Sequence, residues 1–251
     1  MRDPARGQRA RIALTNNRAV VLVSGGLDSA TVLAYALSLG FETTAISFDY
    51  GQRHSIELES GKRICEHYGI ERKIVNLDMK QIGGSSLTSD MNVETRSIDE
   101  ISESIPTSYV PARNTIFLSI ASAFAEVLDA DTLFIGANAV DYSGYPDCRP
   151  KFFNSMENTI NLGTKRGQHS RLRIAVPLQY LTKGEIISLG MSLKVPYDLT
   201  HSCYRGEDEA CGECDSCLLR LKGFVDSGFR DPVKYKKYPD FYEKYLGKSV
   251  L

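Results

Sequence analysis

Two groups of residues carry chemistry by their types and spacing. The first is Val23-Ser24-Gly25-Gly26-Leu27-Asp28-Ser29, which stands between an apolar run and a helical pattern. A helix that opens after a strand offers unpaired N–H groups and about half a positive charge at its start. Adjacent glycines let an anion approach such amides closely, because no Cβ intervenes. Ser24 and Ser29 add hydroxyl donors, so the loop is shaped for phosphate. Asp28 fits two roles, a ligand to a metal ion that bridges phosphate oxygens or a cap on the helix. The second group is Cys203, Cys211, Cys214 and Cys217, spaced C-x7-C-x2-C-x2-C. Four thiolates complete a tetrahedral shell and leave no open position, which predicts a structural zinc ion. An iron–sulfur cluster, which also uses C-x2-C-x2-C runs, is the alternative.

Both groups need elements to hold them. Apolar segments at 19–23, 42–51, 72–77, 132–136 and 173–178 read as strands. Between them lie helical patterns: Ala30, Leu33, Ala34 and Leu37 share one face and stop at Gly40, and others cover 55–68 and 114–128. Thr182 and Glu185 have capping-box spacing for a further short helix. Such β-α-β alternation predicts an α/β fold with a doubly wound, mostly parallel sheet, whose ligands bind beyond the carboxyl ends of the strands. Residues 80–108 break the rhythm with serine, glycine and charge, as a functional loop, a lid or a disordered stretch would. The expected organisation is an α/β domain over 19–195, a small cysteine segment over 196–228 packed on it, and terminal extensions at 1–18 and 229–251. The Arg-rich start reads as a solvated tail.

Composition excludes several classes. No apolar stretch approaches the roughly 18 residues of a membrane span. Net charge is −1 and the isoelectric point is about 6.4, so no overall basic field calls for nucleic acid. Clustered cysteines without a secretion signal point to a reducing cytoplasm. Cys65 falls in the apolar pattern of a helix and is expected to be buried and inert. Cys148 has polar, turn-forming neighbours and is expected as an exposed thiol at the pocket, without a nucleophilic role.

The glycine loop matches neither G-x-G-x-x-G nor G-x-x-x-x-G-K-[ST]. "SGGLDS" at the end of a first strand resembles instead the pyrophosphate loop of the PP-loop ATP pyrophosphatases, which share an adenine nucleotide alpha hydrolase-like fold. "FDYGQRH" (48–54), "YVPARNTIFLSIA" (109–121), "GANAVDYSGYPDCRP" (136–150) and "CGECDSC" (211–217) extend the likeness to the QueC family of 7-cyano-7-deazaguanine synthases, over about 19–228. One departure is His201, where the family carries tryptophan before "SCY".

The resemblance implies a carbon–nitrogen ligase of queuosine biosynthesis. ATP adenylates the carboxylate of 7-carboxy-7-deazaguanine, ammonia displaces AMP to give an amide, and a second ATP activates the amide oxygen so that the nitrile forms. Ser24, Gly25, Gly26 and Ser29 would hold pyrophosphate, with Val23 and Leu27 at the loop's edges and Asp28 near magnesium. Ile46, Ser47 and Phe48 would read adenine. Arg113 would clamp phosphate or the substrate carboxylate, with Asn114 beside it. Asp141 or Asp147 would accept from the N–H donors of the base, while Tyr142 and Tyr145 stack on it, although turn formation explains both aspartates as well. The expected catalytic set is therefore Ser24, Asp28, Ser29 and Arg113. The resemblance also implies a homodimer acting on small molecules. Three alternatives stay open: a paralogue that joins the activated carboxylate to another amine, such as a protein terminus, a PP-loop enzyme that modifies tRNA, and a non-enzymatic zinc-binding interaction module.

Overall fold

The computed structural model describes residues 16–52, 56–89, 91, 105–140, 145–205 and 209–247. Strand β1 (Arg18–Leu22) feeds helix α1 (Leu27–Ser38), and β2 (Glu42–Asp49), α2 (Ile56–Tyr68) and β3 (Arg72–Asn76) follow. After a longer connection come α3 (Arg113–Val127), β4 (Thr132–Phe134), α4 (Pro150–Gly163), β5 (Arg173–Ala175) and α5 (Lys183–Ser192). Helices α6 (Asp215–Ser227) and α7 (Asp240–Leu246) complete the described chain. The sheet order is β3-β2-β1-β4-β5, and every pairing is parallel. This is the doubly wound sheet that the alternating pattern predicts. The chain reverses its direction of travel across the sheet between β1 and β4, which is where such folds open a crevice.

Alternation along β1 divides the core. Ala19 and Val21 pack with α1, α2, α5 and α6 on one face, while Val20 and Leu22 pack with Leu118 and Ala121 of α3 and Phe153 of α4 on the other. A strand buried on both faces reads as a continuous apolar run, as "AVVL" does. Each fully buried valine is worth about 1.5–3 kcal/mol of transfer free energy. Helix α5 starts at Thr182, whose Oγ1 accepts from Glu185 N at 3.3 Å while the Glu185 carboxylate accepts from Thr182 N at 2.8 Å. The capping box read from the sequence is thus formed.

Two segments set apart in the sequence are more ordered than their composition implies. The described part of 80–108 begins in a short 3-10 turn (Met79–Gln81) and buries Ser85, Ser86, Leu87 and Thr88. The rest of that stretch, with residues 1–15, lies outside the described residues. Within the predicted C-terminal extension, residues 229–247 fold back onto the cysteine segment. Ala210 N donates to Lys234 O at 3.2 Å and Lys236 N donates to Ala210 O at 2.9 Å. Gly212 has φ +77, and a Cβ there would stand 1.8 Å from Lys237 O, so no side chain fits between the two segments. Among the described residues, no helix is long and apolar enough to cross a membrane.

Candidate active site and metal centre

A cavity of about 240 Å³ opens at the carboxyl ends of β1, β2 and β4. The glycine loop forms one wall. Gly25 has φ +96, and a Cβ there would meet Glu57 O at 2.1 Å and Gly61 N at 2.7 Å. Only glycine lets the loop rest on the backbone of α2. The two serines brace each other, with Oγ atoms 3.1 Å apart, and Ser29 Oγ also accepts from Ser24 N and donates to Gly26 O. From the far side, His201 N donates to Gly25 O at 2.9 Å and Ser202 Oγ accepts from Leu27 N at 3.4 Å. We expect Gly25→Ala to push the loop off α2 by about an ångström and lower kcat/KM about 100-fold, since misplacements of that size cost that much. A diphosphate-release assay reads the loss, and an unchanged metal content would locate it in the loop.

Asp28 does not cap α1. Its carboxylate takes two hydrogen bonds from Lys183 Nζ, at 2.8 and 2.9 Å, from the first turn of α5. Val23, Ser24, Gly26, Leu27, Ser29, Ile46 and Phe48 also line the cavity. Ser47 sits behind the wall, where its Oγ donates to Val23 O at 2.6 Å.

The opposite wall is the start of α3. Ala112, at φ 53, is left-handed, and Arg113 follows it into the cavity. Burial works against the Arg113 charge, but the phenols of Tyr50 and Tyr145, the Cys148 thiol and the Asp147 carboxylate together hold the guanidinium above its ordinary range. Asp147 Oδ2 accepts from Asn114 N at 3.1 Å, and Asn114 Nδ2 donates to Asp147 O at 3.0 Å and to Cys148 Sγ at 3.5 Å. The Asp147 carboxylate therefore satisfies an orphan amide of α3, whereas Asn114 and Tyr145 line the cavity. Tyr145 Oη bonds Ser108 Oγ at 2.8 Å. Asp141 and Tyr142 lie outside the described residues. Cys148 corrects its sequence reading: it is at the pocket but buried, and burial pushes its thiol up to about 12, so the thiolate is disfavoured. Cys65 is buried, as expected, and raised to about 11 by that burial.

The four clustered cysteines are all buried, with sulfur atoms within 4.8 Å of one another. Cys211 and Cys217 Sγ are 3.9 Å apart, and Cys214 and Cys217 Sγ are 3.5 Å apart. A tetrahedron of sulfurs around one ion at about 2.3 Å has edges of about 3.8 Å, so the site fits a single metal ion. Backbone amides turn toward the sulfurs: Cys211 N donates to Cys203 Sγ, and Glu213 N and Cys214 N donate to Cys211 Sγ, at 3.3–3.4 Å.

A buried ion pair ties this centre to the cavity. Arg220 of α6 bonds Asp231 through Nε at 2.7 Å and Nη2 at 2.9 Å. Its Nη1 donates to Thr200 Oγ1 at 2.7 Å and its Nη2 to Tyr197 O at 3.1 Å. Tyr235 Oη donates to the same carboxylate at 2.7 Å. The segment 197–202 that braces the glycine loop is thus fastened to the end of the chain.

The family model described as "Queuosine biosynthesis protein QueC" matches residues 18–228. The chain belongs to the QueC family. A protein of Thermoplasma volcanium named 7-cyano-7-deazaguanine synthase is 63% identical over 231 residues, covering 92% of this chain and 96% of that one. Its namesake in Thermoplasma acidophilum is 59% identical over 235 residues, covering 94% and 99%. Another, in Desulfatibacillum aliphaticivorans, is 52% identical over 229 residues, covering 89% and 98%. The Thermoplasma alignments span more of the chain than residues 18–228, so part of the flanking segments is shared with those relatives.

Several cavity residues of this QueC-family chain escaped the sequence reading. Lys183 follows the capping threonine of "LTKGEII", and a lysine in a helix's first turn, against the dipole, was the available signal. Glu57 lies just past the "FDYGQRH" block, and His201 was noted only as a departure. Arg220 carries no local signal, because its partner is remote.

Proposed function

We propose that this protein makes 7-cyano-7-deazaguanine from 7-carboxy-7-deazaguanine, ammonia and two ATP, within queuosine biosynthesis. The observation that carries this reading is 63% identity, across 96% of its length, to a protein named for that product. The loop at 24–29 supports it as a cradle for the diphosphate that leaves when a carboxylate takes AMP. Donors preorganised around a leaving group stabilise the charge that develops there. Lys183, ion-paired with Asp28, adds a cation beside the same loop. Asp28 is the residue that would hold magnesium, with Lys183 beside it, and the ion would supply positive charge against the phosphates. Adenine would lie against Ile46 and Phe48. Arg113 matches carboxylate oxygens two at a time and would hold the substrate acid for attack on the α-phosphate. Tyr145 offers its ring to the deazaguanine, Asp141 and Tyr142 are its proposed polar and stacking partners, and Asn114 and Asp147 fix the helix start that carries Arg113.

Zinc is the proposed ion of the four cysteines. With every position filled by sulfur it would supply folding stability and no reaction chemistry. The relatives' names favour neither transfer to another amine nor tRNA modification. A homodimer in the cytoplasm completes the reading, and sedimentation equilibrium tests the dimer. Incubation of metal-loaded protein with 7-carboxy-7-deazaguanine, ammonium and ATP should yield the nitrile with two AMP and two diphosphate. ADP and orthophosphate, or no nitrile by mass spectrometry, would overturn the assignment.

A further inference from the structure

The reaction proposed above needs a group that the phosphate loop does not provide. When ammonia attacks the acyl adenylate, a C–N bond forms, the C–O bond to AMP breaks with its electron pair leaving on AMP, and one proton must leave nitrogen. In the second half the amide oxygen displaces diphosphate from ATP and a second proton leaves the same nitrogen, giving an O-adenylated imidate. Elimination then breaks the C–O bond, AMP again takes the pair, and the pair of the last N–H bond closes the nitrile as the third proton departs. No oxidant or reductant enters. All three protons come off one nitrogen, so one well-placed base serves the whole sequence.

We propose that Glu57 is this base, taking the protons from the reacting nitrogen in both halves of the reaction. The proposal rests on the function argued above. Two carboxylates line the cavity among the described residues, Asp28 and Glu57, and Asp28 is held at 2.8 and 2.9 Å by Lys183. Glu57 sits in the first turn of α2, with its backbone carbonyl against Gly25 of the phosphate loop. Arg113, across the cavity on α3, acts on its carboxylate electrostatically. Glu57 therefore lines the same cavity as the cradle for the departing diphosphate and the clamp for the acid, which is where the activated carbon and its nitrogen must be.

The groups that face it are Tyr50 at the end of β2, Arg113, and His201 and Cys203 of the segment before α6. Burial raises Glu57 to about 7, against the lowering pull of His201 and Arg113, with a smaller upward push from Cys203. A base poised near the working pH combines a useful ionised fraction with real proton affinity, and such catalysis is worth about 10²–10⁴-fold. The open cavity lets each proton pass on to solvent.

The half-reactions separate the roles. Adenylation of the acid, read as acid-dependent exchange of labelled diphosphate into ATP without ammonia, removes no nitrogen proton. In Glu57→Gln this exchange should stay within about threefold of wild type. Conversion of the synthetic amide and ATP to nitrile, which avoids the titration of ammonium, should fall about 10²–10⁴-fold. The wild-type rate of that half should rise with pH through about 7, as the carboxylate ionises, and the variant should lose the rise. Unchanged amide conversion, or exchange that falls in step with it, would overturn the proposal. Should Glu57→Gln lose its metal or fail to fold, Glu57→Asp carries the same test, with nitrile formation lowered, exchange intact and the pH rise kept. A wild-type enzyme that made no nitrile would instead remove the function itself.

Discussion

Replacing Cys214 by serine should give a chain that retains no metal at the cysteine cluster and has lost its cooperative melting transition near the wild-type temperature. Cys214 is fully buried, forms the N-cap of α6 and sits 3.5 Å from Cys217 Sγ. Structural metal binding by such thiolates is worth about 10–16 kcal/mol at neutral pH. The stability of a whole domain is only about 5–15 kcal/mol. Removing one ligand therefore takes away as much free energy as the fold has to spare. Helix α6 would lose its anchored start, and with it the face that packs on α5. Metal content by plasma mass spectrometry and melting by calorimetry check this. A wild-type chain that binds no metal, or a serine variant with full metal content and wild-type melting, would overturn this reading.

The next largest effect is expected at Asp231→Ala. The side chains of Arg220 and Asp231 are 4% and 1% exposed, so the variant leaves a guanidinium buried without its counter-ion. Breaking a buried pair from one side costs about 3–5 kcal/mol. At about 2–4 °C per kcal/mol for a chain of this size, the melting temperature should fall by about 6–20 °C. Replacing both partners by apolar residues of similar volume should recover much of that loss, because the desolvation of two charges disappears with them. Calorimetry on the single and double variants decides it, and a single variant that melts within 2 °C of wild type, a shift below about 1 kcal/mol, would show that the pair contributes little.

What the sequence revealed followed from how far each signal reaches along the chain. The parallel sheet, the glycine loop and the four thiols were legible because adjacent glycines, apolar runs and C-x2-C spacing are local. Cys148 was misjudged for exposure because its polar neighbours satisfy one another: Asp147 and Asn114 bond across the start of α3 and close over the thiol. Asp28 looked free for a cap or a metal, and its lysine stands 155 positions away. The segment 229–251 was read only as a terminal extension, because nothing local to it signals a partner. Its role depends on Asp231 meeting Arg220 and on Lys237 lying over Gly212, which only the tertiary arrangement brings about.

The placement of Arg220 ahead of Asp231 also has a bearing on biosynthesis. At roughly 5–20 residues per second, the ribosome needs about 0.5–2 seconds to proceed from Arg220 to Asp231. Throughout that interval the sheet has all five of its strands, yet the guanidinium destined for the interior has no anion and the bracing of the glycine loop is unfinished. A nascent chain stalled there would carry a nearly complete scaffold that cannot lock the wall of its own cavity.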